Sequence, residues 1–523
     1  MKTQSKKIQA WFRVGLVVLI VVVLNIISIR IFGRLDVTRN NVFSLSDASK
    51  VLVRSLDDRV TIRAYFTDDL PAPYNANRRL LLDELNEYKA YARGNIQFEF
   101  IDPTSEKVER EAQQQGISPV QVQVMNQDKL EVKKAYMGLV FLYADKKETL
   151  PVVQNTSSLE YDISSTIKKL TSKGQKQVGF LTGHGEPPPN EFSHAQEFLR
   201  RQYMVKQVDV SKGKPVPPEV AVLMVIAPTS RIPESDKLQI DQFVMRGGRV
   251  AFLLNKVDAS LQAQYGRPVE TGLDDMLAAY GLRVNTDLVR DVQCANISIM
   301  QQQFGLQMQS QVPFPYLPLV SSFDRNNAIV KDLQGVLLVF PSSVDTLTPA
   351  ANGLSGEILL RSSKESGRLT GMFTYDPLQH WTKDQFPEHG IPLAAITAGV
   401  FHSLYAGKPL PADTAAGSLP PPASPLTESK DTRVILVGDG DFVKDQTTSR
   451  DNITFFANMV DYLADDAGLI TIRSKDISQP PLDPVSDGSK QAIKLANLVV
   501  PPLLVLAYGL FRWRIRRARK LAS

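Results

Sequence analysis

A histidine next to a glutamate on a glycine-rich turn can move protons or hold a metal, and such a run occurs at 182–186, Thr-Gly-His-Gly-Glu. His184 and Glu186 are two residues apart, with Gly183 and Gly185 on either side of the histidine. The apolar run QVGFLTG (177–183) predicts a buried strand in front of them. The C-terminal ends of such strands are where α/β sheets bind ligands. Imidazole and carboxylate serve as general acid and base, and both ligate zinc. Yet three prolines at 187–189 make the segment a stiff turn. The five histidines (His184, His194, His380, His389 and His402) show no H-x-x-x-H or similar ligand spacing. These facts favour a structural turn, or a partner contact, over catalysis. Alanine at Gly183 or Gly185 is then expected to cost more stability than alanine at His184, because glycine there is expected to hold φ > 0.

A second pair of acids, Asp439 and Asp441 in Gly-Asp-Gly-Asp (438–441), also ends an apolar run. Two carboxylates can hold a cation. The residues that follow lack the glycine at position six and the closing glutamate of a calcium loop, so a turn or capping role is expected. No G-x-S-x-G elbow is present. The Gly-Lys pairs, Gly213-Lys214 and Gly407-Lys408, are each followed by proline, so no phosphate-binding P-loop exists and ATP hydrolysis must come from elsewhere. Cys294 is the only cysteine, which excludes an intrachain disulfide, and a lone thiol is expected to be a small packed hydrophobe. No catalytic, cofactor-binding or metal-ligating residue is assigned. Gly183, His184, Gly185, Glu186, Asp439 and Asp441 stand as possible partner or ligand contacts.

The elements that must position these residues follow from periodicity. Residues 44–56 predict a short amphipathic helix capped by Ser44 or Ser46. VTIRAYF (60–66) alternates as a strand, 76–93 fit a helix ended by Gly94, and NIQFEFI (95–101) is a second strand stopped by Asp102-Pro103. A helix over 105–115, a hairpin of 135–143 and 148–153, and a helix over 157–172 complete a βαβαββα order, that of a thioredoxin-like domain (44–172). Redox members need C-x-x-C after the first strand. Thr67, Asp68, Asp69 and Leu70 stand there, so the domain is expected to be a scaffold. From 175 to 475, strands at 177–183, 205–210, 220–228, 249–255 and 433–442 alternate with helices at 190–203, 234–246 and 451–464. This predicts a doubly wound α/β sheet with 260–430 inserted. Within the insertion, GVLLVFP (335–341) and LTGMFTY (369–375) are strand-like, and 407–430, rich in Pro, Ala and Ser, is expected to be a flexible loop.

Both ends carry apolar runs with basic flanks. Lys2, Lys6, Lys7 and Arg13 form a basic tail (1–13) before an apolar segment at 14–32. A second run at 494–511 precedes Arg512, Arg514, Arg516, Arg517, Arg519 and Lys520 in a tail at 512–523. Each run is about long enough to cross a bilayer, which takes roughly 17–25 helical residues. Basic flanks stay on the cytoplasmic side. Both termini are therefore expected inside, the large middle outside, and the first run uncleaved, since no small-x-small site follows it. Without these tails the chain holds 50 Lys+Arg against 55 Asp+Glu, so its basicity marks lipid contact and not a nucleic-acid partner. Pro501 and Pro502 kink the second run, and with Asn497 they suggest a membrane-embedded packing surface for another subunit.

Five segments in order, FSLSDASKVLVRSLDDRVTIRAYF (43–66), FEFIDP (98–103), FLTGHGE (180–186), VILVGDGDF (434–442) and NLVVPPLLVL (497–506), resemble the GldG-type auxiliary proteins of ABC transporters. The resemblance spans nearly the whole chain. It implies an outer region of a thioredoxin-like domain plus an amidotransferase-like (flavodoxin-like) α/β domain, flanked by two single transmembrane helices. It also implies a separate ABC ATPase and an ABC permease as partners, with further envelope proteins, at the cytoplasmic membrane of a bacterium. No cofactor is implied. In true amidotransferases a cysteine sits at a sharp strand-to-helix turn, and Cys294, in DVQCANIS, does not. A non-enzymatic auxiliary subunit is the leading expectation. An anchored hydrolase or amidotransferase-like enzyme using the 182–186 turn, and a structural envelope scaffold, are the alternatives.

Overall fold

The first described helix, α1 (Asp47–Arg54), begins where Ser46 accepts the Ser49 N–H at 3.2 Å, the usual role of a serine before a helix. In this computed structural model the described residues are 44–474, apart from breaks at 69, 71–73, 127–128, 154–155, 157, 173, 304–305, 325, 331–332, 348–352, 412–417 and 465–466, plus helical positions at 16, 494, 495, 497, 499, 502, 508–510, 512 and 514. The chain divides into two units, Met1–Ser478 and Gln479–Ser523.

β1 (Val60–Phe66) buries Val60, Ile62 and Ala64 at strand spacing. α2 (Asn77–Tyr91) covers them with Leu81, Leu85 and Tyr88 at helical spacing. β2 (Ile96–Ile101) pairs parallel with β1, Val60 opposite Ile96. After α3 (Glu106–Gln114) the strands β3 (Val120–Asn126) and β4 (Lys129–Ala135) form a separate two-stranded hairpin. Only the alternation in VQVQVMN hints at this hairpin in the sequence. β5 (Met137–Tyr143) and β6 (Lys146–Leu150) follow, then α4 (Leu159–Thr171). The four-stranded sheet runs β2-β1-β5-β6, with β5 antiparallel to both its neighbours. β6 stops before Pro151, shorter than the expected 148–153, because proline cannot donate to the ladder.

The second sheet has eight strands. Five are parallel: β7 (Gln177–Thr182), β8 (Met204–Asp209), β9 (Val220–Ile226), β10 (Arg249–Leu253) and, far along the chain, β15 (Glu428–Val437). They lie side by side as β8-β7-β9-β10-β15, so the order reverses between β7 and β9. α5 (Ser193–Arg200) and α8 (Arg450–Leu463) cover one face through Phe192, Leu199, Phe455 and Phe456. α6 (Glu234–Met245) covers the other through Phe243 and Val244, beside the short α7 (Asp274–Ala279).

The stretch 260–430, expected as an insertion, supplies the other three strands. β13 (Ser355–Arg361), β14 (Pro392–His402) and the short Ser322–Phe323 extend the sheet antiparallel beyond β15. The glutamine-rich segment forms a long hairpin of β11 (Cys294–Gln303) and β12 (Leu306–Val320). The strand-like run 335–341 keeps only Val336–Leu337 as strand, and no strand continues past Leu369 in 369–375. Their aromatic residues Phe340, Phe373 and Tyr375 instead pack from loops against Phe314 and Tyr316 of β12. The Pro/Ala/Ser stretch is tied down beyond 417: the Gln242 side chain exchanges hydrogen bonds with the Leu426 backbone at 2.9 and 2.8 Å. The last helix, α9 (Ala467–Ser474), returns to pack on α4 and α1.

Candidate functional site

The two acidic motifs lie on one edge of the large sheet, at the C-terminal ends of β7 and β15. Where strand order reverses, here between β7 and β9, an open α/β sheet leaves a crevice in which ligands bind. In this protein the crevice is laced shut by its own loops. Gly183 and Gly185 carry φ of 110° and 79°, which folds the chain back at once. The Ser230 N–H, past the end of β9, donates to the His184 carbonyl at 2.9 Å, and Thr229 Oγ1 donates to the Gly185 carbonyl at 2.9 Å.

His184 is 3% exposed. Its Nε2 is 3.0 Å from Asp236 Oδ2 and its Nδ1 is 3.5 Å from Glu186 Oε1, so the ring points a nitrogen at a carboxylate on each side. Burial alone would push the imidazole pKa down, but the bonds to Glu186 and Asp236 outweigh it and hold the pKa above its ordinary 6.5. Burial would raise the Glu186 pKa, but His184, through its side chain and its N–H at 2.7 Å, holds it below the ordinary value. Asp236 also accepts from the Gly213 N–H at 2.8 Å. His184 thus ties the loop after β7 to Asp236 at the start of α6, and Asp236 in turn holds the loop after β8.

That arrangement limits its chemistry. A general base needs a lone pair aimed at substrate, and here both ring nitrogens face acids. Removing the His184 ring would leave Asp236 and Glu186 without it, while alanine at Gly185 would set a Cβ 2.2 Å from Thr229 Oγ1.

Asp439 is fully buried. Its Oδ2 accepts from the Val339 N–H at 2.6 Å and its Oδ1 from the Asp441 N–H at 2.7 Å. Burial, and the nearby Asp441, push its carboxyl pKa well above the usual range. A Cβ on Gly438 would stand 1.9 Å from the Ser342 carbonyl oxygen, so only glycine fits there. Asp441 pairs with Lys444 at 2.9 Å, and Lys444 reaches Glu191 at 3.5 Å. Asp445 caps α5, accepting from the Ser193 and His194 N–H groups at 3.0 Å each. The β7 and β15 loops are thereby joined by groups that sequence spacing did not mark. Among the described residues, no group of three or more His, Cys, Asp or Glu is placed to hold a metal.

Cys294 lies half-buried at the start of β11, its thiol pushed up to about 11 by burial and by Asp291, which is no setting for a nucleophile. Asn497 and Pro502 occupy helical positions; Pro501 lies outside the described residues, as does the 14–32 segment except Leu16. Among the described residues no helix is long and apolar enough to cross a membrane.

A family model described as "ABC-type uncharacterized transport system" matches residues 175–465, more than half of the chain and the whole of the edge described above. The chain belongs to this family of ABC transport auxiliary components. A second model, a domain of unknown function, matches residues 39–142. An uncharacterized protein of Borreliella burgdorferi is 22% identical over 507 residues, covering 94% of this chain and 95% of its own length. Among solved structures, the mmIFT52 N-terminal domain aligns at 14% identity over 55% of this chain and 97% of its own, with a TM-score of 0.34. In this ABC auxiliary component, spacing missed Asp236, Ser230, Asp445 and Asn255, whose Oδ1 accepts from the Gly440 N–H at 2.6 Å. Asp236 is in the first turn of α6 and the others lie in separate loops, and only the helix acid carries even a local sequence signal.

Proposed function

We propose that this chain is a non-enzymatic, membrane-anchored auxiliary subunit that couples an ABC ATPase and permease to partners or substrate outside the membrane. The observation that carries this reading is the crevice within the family's matched span, closed by its own backbone around a histidine held between two acids. A site so filled suits a rigid body better than a catalyst. The sheet order β2-β1-β5-β6, with Thr67 to Leu70 after β1, supports a redox-inert thioredoxin-like half. The order β8-β7-β9-β10-β15 supports an amidotransferase-like (flavodoxin-like) half. Cys294 sits on a hairpin and not at a strand-to-helix turn, which argues against amidotransferase chemistry. The GldG-like segments support the same partner set. The basic tails support two anchors with both ends in the cytoplasm of a bacterial cell. In this reading, movements of the permease reach the outer body through those anchors.

The test is co-purification of the full-length chain with an ABC ATPase and permease from the same cells. All three are expected to elute together, and the His184→Gln protein, where folded, is expected to support the same ATP hydrolysis. A folded His184→Gln protein that binds its partners yet abolishes activity would return catalysis to the site.

A further inference from the structure

The chain enters and leaves its body at one place. α1 and α9, the first and last helices of the described body, pack on each other and on α4, the helix that joins the two halves. Ala48 and Gly468 lie so close that a Cβ on Gly468 would stand 3.5 Å from that of Ala48. Two buried charges hold this knot. Glu160 of α4 accepts from the Ser46 N–H and the Ser49 hydroxyl of α1, each at 2.7 Å. Arg473 of α9 donates to Tyr161 Oη of α4 at 2.8 Å, and to Asn458 Oδ1 and Asp461 Oδ2 of α8 at 2.6 and 2.7 Å. Its guanidinium also stacks against Tyr161 and Phe198 of α5, 4.7 and 5.0 Å from the ring centres. One side chain thus touches α4, α5 and α8, which belong to both halves. Burying such an ion pair adds little stability over apolar packing. What the planar, five-donor fork supplies is fixed direction.

We propose that this knot is the force-bearing joint of the body, with Arg473 as its positioning residue, so that a displacement of either flank moves both halves together and no hinge opens between them. This rests on the transport reading above. The test is a cysteine pair, Ala48→Cys with Gly468→Cys, in full-length protein carrying Cys294→Ser. The Cβ spacing lies at the short end of the roughly 3.5–4.5 Å that disulfides span. The pair is expected to close on mild oxidation in the complex with ATPase and permease, with ATP hydrolysis unchanged between oxidised and reduced samples. Activity that falls ten-fold on oxidation and returns with reductant would mean that α1 and α9 part during the cycle, and would overturn the proposal, as would failure to close. Arg473→Lys keeps the charge and loses the fork. It is expected to bind its partners normally but to be cut by trypsin between the halves at least ten-fold faster; unchanged cutting would remove the positioning role. An unmodified chain that brings down neither partner would sink the transport reading alone, because disulfide closure is scored on the chain itself.

Discussion

His184 faces an acid on each side, so its removal leaves Asp236 and Glu186 buried without a cation. Breaking a buried pair in this way costs on the order of 3–5 kcal/mol. Gly185→Ala meets a left-handed backbone cost of roughly 1–2 kcal/mol, plus contact with Thr229 Oγ1. Denaturant titration should therefore show His184→Ala as the weaker fold, and the reverse order would mean that the acids find other partners. The same residues set a pH window. The His184 pKa is raised on folding, so its contribution is full below the unfolded value of 6.5 and is lost as pH climbs through the folded one. The Glu186 pKa is lowered, so its contribution is present above 4.5 and is lost as pH falls through its folded value. The site should stabilise most between these limits. A melting-temperature profile of the native protein should decline above pH 6.5, and that of His184→Gln should lack this decline.

At the scale of elements, the β11–β12 ribbon stands apart from the rest. Over Asn296–Gln303 its strands pair only with each other, and Met300 is 65% exposed. A two-stranded ribbon contributes little stability by itself. Joining Ile297 directly to Val312 through an Asn-Gly turn should keep the register and shift the melting temperature by less than about 2 °C, the effect of well under 1 kcal/mol. A larger drop would show that the ribbon supports the aromatic cluster at its base. Helices and the parallel strands were legible in the sequence because their apolar spacing is local: Leu81, Leu85 and Tyr88 repeat at helical intervals, and VAVLMVI is apolar throughout because both its faces are covered. Runs 335–341 and 369–375 are equally apolar but bury their aromatic residues from loops, and apolar content alone does not distinguish the two.

For the whole molecule, the basic tails set the expected topology. In the Cys294→Ser background, cysteines placed at Ser5 and Ser523 should resist an impermeant thiol reagent, and one at Ser230 should react. Labelling of either terminus from outside would reverse the orientation. Replacing 495–511 with a plain Leu/Ala helix of equal length should keep insertion but weaken co-purification with the permease, since a kinked helix needs neighbours to satisfy its freed carbonyl. Undiminished association would place the interface on the outer body.

By itself the sequence determined the classes this protein could belong to. One cysteine, no P-loop and a net positive charge that comes only from the two tails are properties of the sequence, and they hold whatever the fold. Local periodicity likewise marked most of the strands and helices. Tertiary structure alone decided what the 182–186 turn is. Its partners Asp236, Ser230 and Thr229 all follow β9 and reach the turn only because β7 and β9 are neighbours where the sheet reverses. It also decided that the long stretch 260–430 would complete the sheet, and that α1 and α9 would meet on α4. Contacts between residues hundreds of positions apart depend on which surfaces the fold brings together, and no local spacing in the chain records them.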